Sequence, residues 1–185
     1  WGDPIKLIDW RVYGRTDKYY IKEFEEETNL KAYLFLDLSN SMKYQADHVS
    51  KEEYSKTIAA ALSYIMIKQR DAVGLIQFDE KIKYYIQPKS KQTQLRTILT
   101  ALENASASGK TNISANLAIL ARKIKRKGLI ILISDLLEIP EKTIKALKYF
   151  RHQGHEIIVF QILDPKEINF DFKKDAEFID LETEK

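Results

Sequence analysis

Two five-residue apolar runs constrain this chain most: Ala32-Tyr33-Leu34-Phe35-Leu36, which ends on Asp37, and Leu129-Ile130-Ile131-Leu132-Ile133, which ends on Ser134-Asp135. A strand without polar alternation is buried on both faces, as parallel strands inside an α/β sheet are. Between and after these runs, strand-like and helix-like stretches alternate. Such units build a parallel-dominated sheet through right-handed crossovers, with helices on both faces. Ligand sites in these sheets lie outside the carboxyl ends of the strands. Both carboxylates therefore fall on the edge where function is expected.

The pattern predicts a helix from about residue 50, with Ile58, Leu62, Ile65 and Met66 on one stripe and Ser50 three residues before Glu53 as a capping box. Residues 73–78 read as a second buried strand. Residues 81–87 read as its antiparallel neighbour, because only Asp79 and Glu80 intervene. A helix from about residue 93 carries Leu95, Ile98, Leu99 and Leu102, and the small polar stretch 104–112 forms a loop. Ile113, Leu117, Leu120 and Ile124 then step at helical spacing, with Gly128 expected to end that helix. Pro140 opens a helix to about residue 150, Gly154 separates it from a strand over 156–162, and 177–181 reads as a short last strand. Residues 1–28 interleave Trp10, Tyr13, Tyr19, Tyr20 and Phe24 with Arg11, Arg15, Lys22 and an acidic run over 25–27. With aromatic β-formers over 19–24, this reads as a strand or hairpin packed on the domain. The expected organisation is an N-terminal extension, 1–30, and an α/β domain, 31–185.

At 185 residues the chain can bury about 70% of its unfolded surface in one domain. Its 44% hydrophobic and 31% charged residues exclude collagen-like, coiled-coil and disordered classes. There is no cysteine, which removes disulfides, thiolate metal sites and cysteine nucleophiles and fits a reducing compartment. The 30 basic and 27 acidic residues are intermixed, so the net charge of +3 gives little reason to expect a nucleic-acid groove. The basic cluster 122–127 reads as a solvated helix end. No apolar stretch approaches the roughly 20 residues that cross a bilayer. Trp1-Gly2-Asp3-Pro4 does not resemble a signal peptide, so the chain is expected to be a cytoplasmic fragment of a longer protein.

Asp37, Ser39 and Ser41 alternate along an extended segment leaving a strand, so their oxygens can point the same way. Thr111, in the 104–112 loop, and Asp135 complete an all-oxygen set without histidine. That donor chemistry suits a hard divalent cation such as Mg²⁺ or Mn²⁺. A purely structural alternative has Ser39 and Ser41 capping the next helix and Asp37 closing a turn. Gly109-Lys110-Thr111 is not a phosphate loop: the glycine that motif requires five residues earlier is Asn104, and a helix rather than a strand precedes it. A phosphatase nucleophile at Asp37 would want a second aspartate two residues on, where this chain has Ser39. His48, His152 and His155 are scattered, and no Gly-x-Ser-x-Gly elbow is present. No base stands beside a nucleophile, so the chain is not read as an enzyme.

Asp37, Ser39 and Ser41, Thr111, and Asp135 resemble the metal-ion-dependent adhesion site of von Willebrand factor A domains. Residues 8–16 (Ile-Asp-Trp-Arg-Val-Tyr-Gly-Arg-Thr), residues 19–27, Asp164-Pro165, Glu167 and residues 178–183 resemble the domain of unknown function 58 family, the bacterial and archaeal branch of that fold. The resemblance covers essentially the whole chain. It implies a Rossmann-like three-layer sandwich with a mostly parallel sheet and one antiparallel edge strand. It implies a Mg²⁺ or Mn²⁺ site holding Asp37, Ser39, Ser41, Thr111 and Asp135 and leaving one octahedral position open for an Asp or Glu from a partner protein. It also implies a MoxR-type AAA+ ATPase as that partner. Lys110 and Asn112 depart from the family pattern, which often has glycine and aspartate there. The Lys110 ammonium either opposes the cation, salt-bridges to Asp135, or points to solvent. The competing functions are a metal-dependent phosphatase or hydrolase using Asp37 and Asp135, and a structural module whose site stays empty because Lys110 occupies it.

Overall fold

The computed structural model describes residues 8–20, 30–46 and 49–170. Five strands, β1 (Lys31–Asp37), β2 (Ala72–Phe78), β3 (Ile82–Lys89), β4 (Leu129–Ser134) and β5 (Glu156–Gln161), form one sheet of order β3-β2-β1-β4-β5. β1 is central and pairs in parallel with β2 and with β4, Leu36 standing opposite Gln77 on one side and Ile133 on the other. β4 pairs in parallel with β5, and only β2 and β3 run antiparallel. β3 is the outer strand on its side, and there Pro88 is tolerated although it cannot donate a ladder bond.

Helices cover both faces. α2 (Lys51–Lys68) and α3 (Gln92–Glu103) bury Ala59, Met66, Ile67, Ile98 and Leu102 against Leu34, Leu36, Val73 and Leu75. α4 (Ile113–Lys123) and α5 (Pro140–His152) bury Ile113, Leu117, Leu120 and Phe150 against Phe35, Ile76, Phe78 and Leu132. Alternate residues of one strand thus feed two separate cores, which is why β1 and β4 carry no polar face. The result is the expected three-layer, Rossmann-like α/β sandwich with one antiparallel pair.

Two features differ from expectation. α4 stops at Lys123, where Ile124 turns extended, so Gly128 does not end it. Gly128 is instead a close-approach position: a Cβ there would run into the Lys31 carbonyl of β1. Ahead of the strand expected over 19–24, the amino-end segment holds a helix, α1 (Trp10–Thr16), capped by the Asp9 carboxylate accepting from the Arg11 and Val12 N–H groups. Among the described residues the Asp9 N–H donates to the Tyr20 carbonyl at 2.8 Å, beside Tyr13 and Tyr19 rings stacked at 4.7 Å. Most of the 19–24 strand, the 177–181 strand and His48 lie outside the described residues.

Candidate metal centre

The first loop leaves β1 at Asp37. Its backbone is pinned to β2 by the Leu38 N–H donating to the Phe78 carbonyl (2.7 Å). The Ser39 N–H donates to Asp37 Oδ1 at 2.9 Å, and a 3₁₀ turn, Asn40–Lys43, follows. This tight turn buries both serines and brings the Ser39 and Ser41 hydroxyls to 3.0 Å. The second loop is stitched to the first by Ser108 N–H to the Leu38 carbonyl (2.7 Å) and Asn40 N–H to the Gly109 carbonyl (2.9 Å). Gly109 takes φ +69 with the Asp79 carboxylate against it, a position where a side chain would be strained. Thr111 follows two residues later, half-buried. From the third loop, the Ser134 hydroxyl donates to Asp37 Oδ2 at 2.6 Å. Its oxygen accepts the Leu136 N–H.

Asp37, Ser39, Ser41 and Asp135 are therefore buried together at the carboxyl end of the sheet, with Thr111 in the adjoining loop. Glu138 ties the third loop to the second. It accepts from the Ser114 N–H (2.8 Å) and hydroxyl (2.7 Å), supplying α4 with the cap that Asn112 does not. Burial pushes the Asp37 carboxyl up to about 6; bonds from Ser134 and Ser39 pull it down, and the Asp135 charge adds to the rise. Among the described residues, no cation forms an ion pair with Asp37.

Asp135 is served differently. The Lys51 ammonium, at the start of α2, lies 2.8 Å from Asp135 Oδ2 and 2.8 Å from Glu167 Oε1, with only 2% of its side chain exposed. Burial alone would lower the Lys51 pKa, but the two carboxylates outweigh it and the net shift is upward. Glu167 belongs to α6 (Pro165–Asn169), whose N-cap Asp164 accepts the Ala46 N–H of the first loop at 3.1 Å. Lys110, which the sequence offers as the ammonium beside the site, is exposed; its backbone N–H donates to Glu80 Oε1 at 3.3 Å. The ammonium on Asp135 is Lys51.

The residues fit a hard cation in donor type. They are two buried carboxylates and serine hydroxyls, with one carboxylate lacking a counter-charge. Among the described residues, no three His, Cys, Asp or Glu side chains group as in a conventional metal centre, so any cation here depends on hydroxyls. Ser134, Lys51, Glu167 and Glu138 were not among the predicted ligands. Only Ser134, adjacent to Asp135, is suggested by its position in the sequence.

Comparison with known proteins places the fold and the family. The chain is 23% identical over 186 residues to the uncharacterized protein Mb1516 of Mycobacterium bovis and to the uncharacterized protein Rv1480 of Mycobacterium tuberculosis. It is covered to 98% but spans only 58% of the length of each. An aerotolerance-related membrane protein from Bacteroides fragilis superposes with a TM-score of 0.62 at 23% identity, covering 72% of this chain and 67% of that one. BatB from Bacteroides thetaiotaomicron gives 0.59 at 22% identity, covering 70% and 65%. Both similarities speak to the fold. No helix among the described residues is long and apolar enough to cross a membrane. The family described as "Protein of unknown function DUF58" matches residues 1–185, and the chain belongs to it.

Proposed function

We propose that this is a non-enzymatic, divalent-cation-dependent protein-interaction domain of the von Willebrand A type, its cation held by Asp37, Ser39, Ser41, Thr111 and Asp135. The observation that carries the reading is Asp37. This carboxylate has no exposed surface, and its hydrogen bonds come from an N–H and a hydroxyl rather than from a cation. Hydrogen-bond dipoles satisfy its lone pairs, but they leave a buried net charge that a hard cation relieves. When bound, Mg²⁺ or Mn²⁺ would supply a coordination position that an acidic side chain of a partner can fill. A MoxR-type AAA+ ATPase is the partner we propose, on the family resemblance, and the cytoplasm the compartment. A second reading, a structural module that works without metal, has one observation in its favour: the Lys51 ammonium already on Asp135.

The separating experiment is a thermal melt with cation titration. Mg²⁺ or Mn²⁺ at a hundredfold excess over Kd stabilises by about 2.7 kcal/mol, and Asp37→Ala should lose the response. A melt indifferent to both ions favours the structural module. For the partner, binding of a purified MoxR-type ATPase should fall both on chelation and in Thr111→Ala. Lys127→Ala, before the amino end of β4, should leave it intact. Binding that ignores chelator and Thr111→Ala would overturn the cation bridge.

A further inference from the structure

Lysine is rarely buried without partners, and Lys51 is 3% exposed. It is the joint in a continuous run of polar contacts. The Ala46 N–H donates to Asp164 Oδ2, the Asp164 N–H donates to Glu167 Oε2 (2.8 Å), and the Lys51 ammonium bridges Glu167 Oε1 and Asp135 Oδ2. The Asp164–Glu167 capping box fixes the Glu167 carboxylate, so the 164–169 segment spans from the first loop to the third through one lysine. None of Lys51, Asp164 and Glu167 belongs to the predicted ligand set.

We infer that Lys51 is a built-in counter-cation of the candidate site, and that docking of the 164–169 segment, through Glu167, sets how strongly the site holds a divalent cation. This rests on the cation reading proposed above. An ammonium and a metal ion that share the Asp135 carboxylate repel each other, so Lys51 lowers cation affinity. Glu167 offsets that ammonium. With the segment docked, three carboxylates against one ammonium leave a formal charge of −2, which a divalent ion neutralises; with Glu167 withdrawn the charge is −1 and Lys51 is balanced by Asp135 alone, the carboxylate it would share with the metal ion. Linkage is reciprocal, so a bound cation tightens the segment onto the site. Five helical residues held mainly by polar contacts are the kind of element that opens locally.

The test is Mn²⁺ binding to the 185-residue chain, followed by calorimetry and by the loss of free Mn²⁺ paramagnetic signal, for wild type, Lys51→Met, Glu167→Gln and the double variant. Substitutions on either side of one ion pair should move affinity in opposite directions: Lys51→Met tighter by about tenfold, Glu167→Gln weaker by about fivefold. In the Lys51→Met background Glu167→Gln should matter less, since Glu167 acts through the lysine. Mn²⁺ should also slow amide exchange at Ala46 and Asp164 in wild type and fail to do so in Glu167→Gln. Should Lys51→Met not fold by circular dichroism, Glu167→Gln carries the test alone through its affinity and exchange. Lys51→Met binding Mn²⁺ no more tightly than wild type, or Glu167→Gln leaving affinity unchanged, overturns the inference while sparing the cation reading. Absence of Mn²⁺ binding in both wild type and Lys51→Met overturns the cation reading itself.

Discussion

The ends of β1 and β4 pose the same problem and meet it in different ways. Each carries a carboxylate buried to 1% exposure or less at the same edge of the sheet. Asp37, after β1, has donors that are neutral dipoles, the Ser39 N–H and the Ser134 hydroxyl. Asp135, after β4, has a full ammonium. Dipoles complete hydrogen bonding without cancelling charge, whereas an ion pair does both when its geometry is good. The β1 end thus carries a buried carboxylate without a counter-ion among the described residues, and the β4 end has one of its own.

The sharpest way to break this contrast is to remove the resident ammonium. In chelated buffer Lys51→Met strands two carboxylates, Asp135 wholly buried, and should cost about 3 kcal/mol, a fall in Tm of roughly 10 °C for a chain of this size. A melt within a degree or two of wild type would mean the ion pair contributes little. Asp37→Asn tests the other end. The folded Asp37 value, about 6, exceeds its ordinary 3.8, so wild type has the full contribution of this group below pH 4 and loses it as pH rises through 6. With chelator present, the variant should match wild type near pH 4 and exceed it by about 3 kcal/mol above pH 7, measured by urea unfolding at both values. A gap that stays constant with pH would show that some other group neutralises Asp37. The smallest effect is expected at Lys110. Lys110→Gly should change stability by no more than about 0.5 kcal/mol and leave Mn²⁺ affinity where it was, because the exposed side chain belongs to neither end.

Much of the β1 end was legible in the sequence. A strand buried on both faces writes itself as an unbroken apolar run, and Asp37, Ser39 and Ser41 follow within five residues, so local spacing sufficed to place them. The β4 end was half legible: Asp135 follows its strand directly, but its counter-ion is 84 residues away. Lys51 opens a helix in a charged stretch and reads as surface. Lys110 drew attention because it departs from the family pattern beside Thr111. Pairing across the sheet is a property of topology, which local spacing does not encode. α1 was missed for another reason: seven residues containing Gly14, Val12 and two aromatics have weak helix propensity, and the Asp9 cap organises what the composition does not.

The bond from Ser134 to Asp37 joins residues 97 apart in the chain. Contacts of that span form only after a large loop closes, so they belong to the slow part of folding. β1 can find β2 across one helical crossover, while β4 must wait for β3, α3 and α4 to be made and laid aside. During synthesis the β1 half of the candidate centre therefore emerges well before its β4 half. Until β4 docks, Asp37 lacks its Ser134 donor, and the cluster of oxygens exists only in molecules whose sheet is complete.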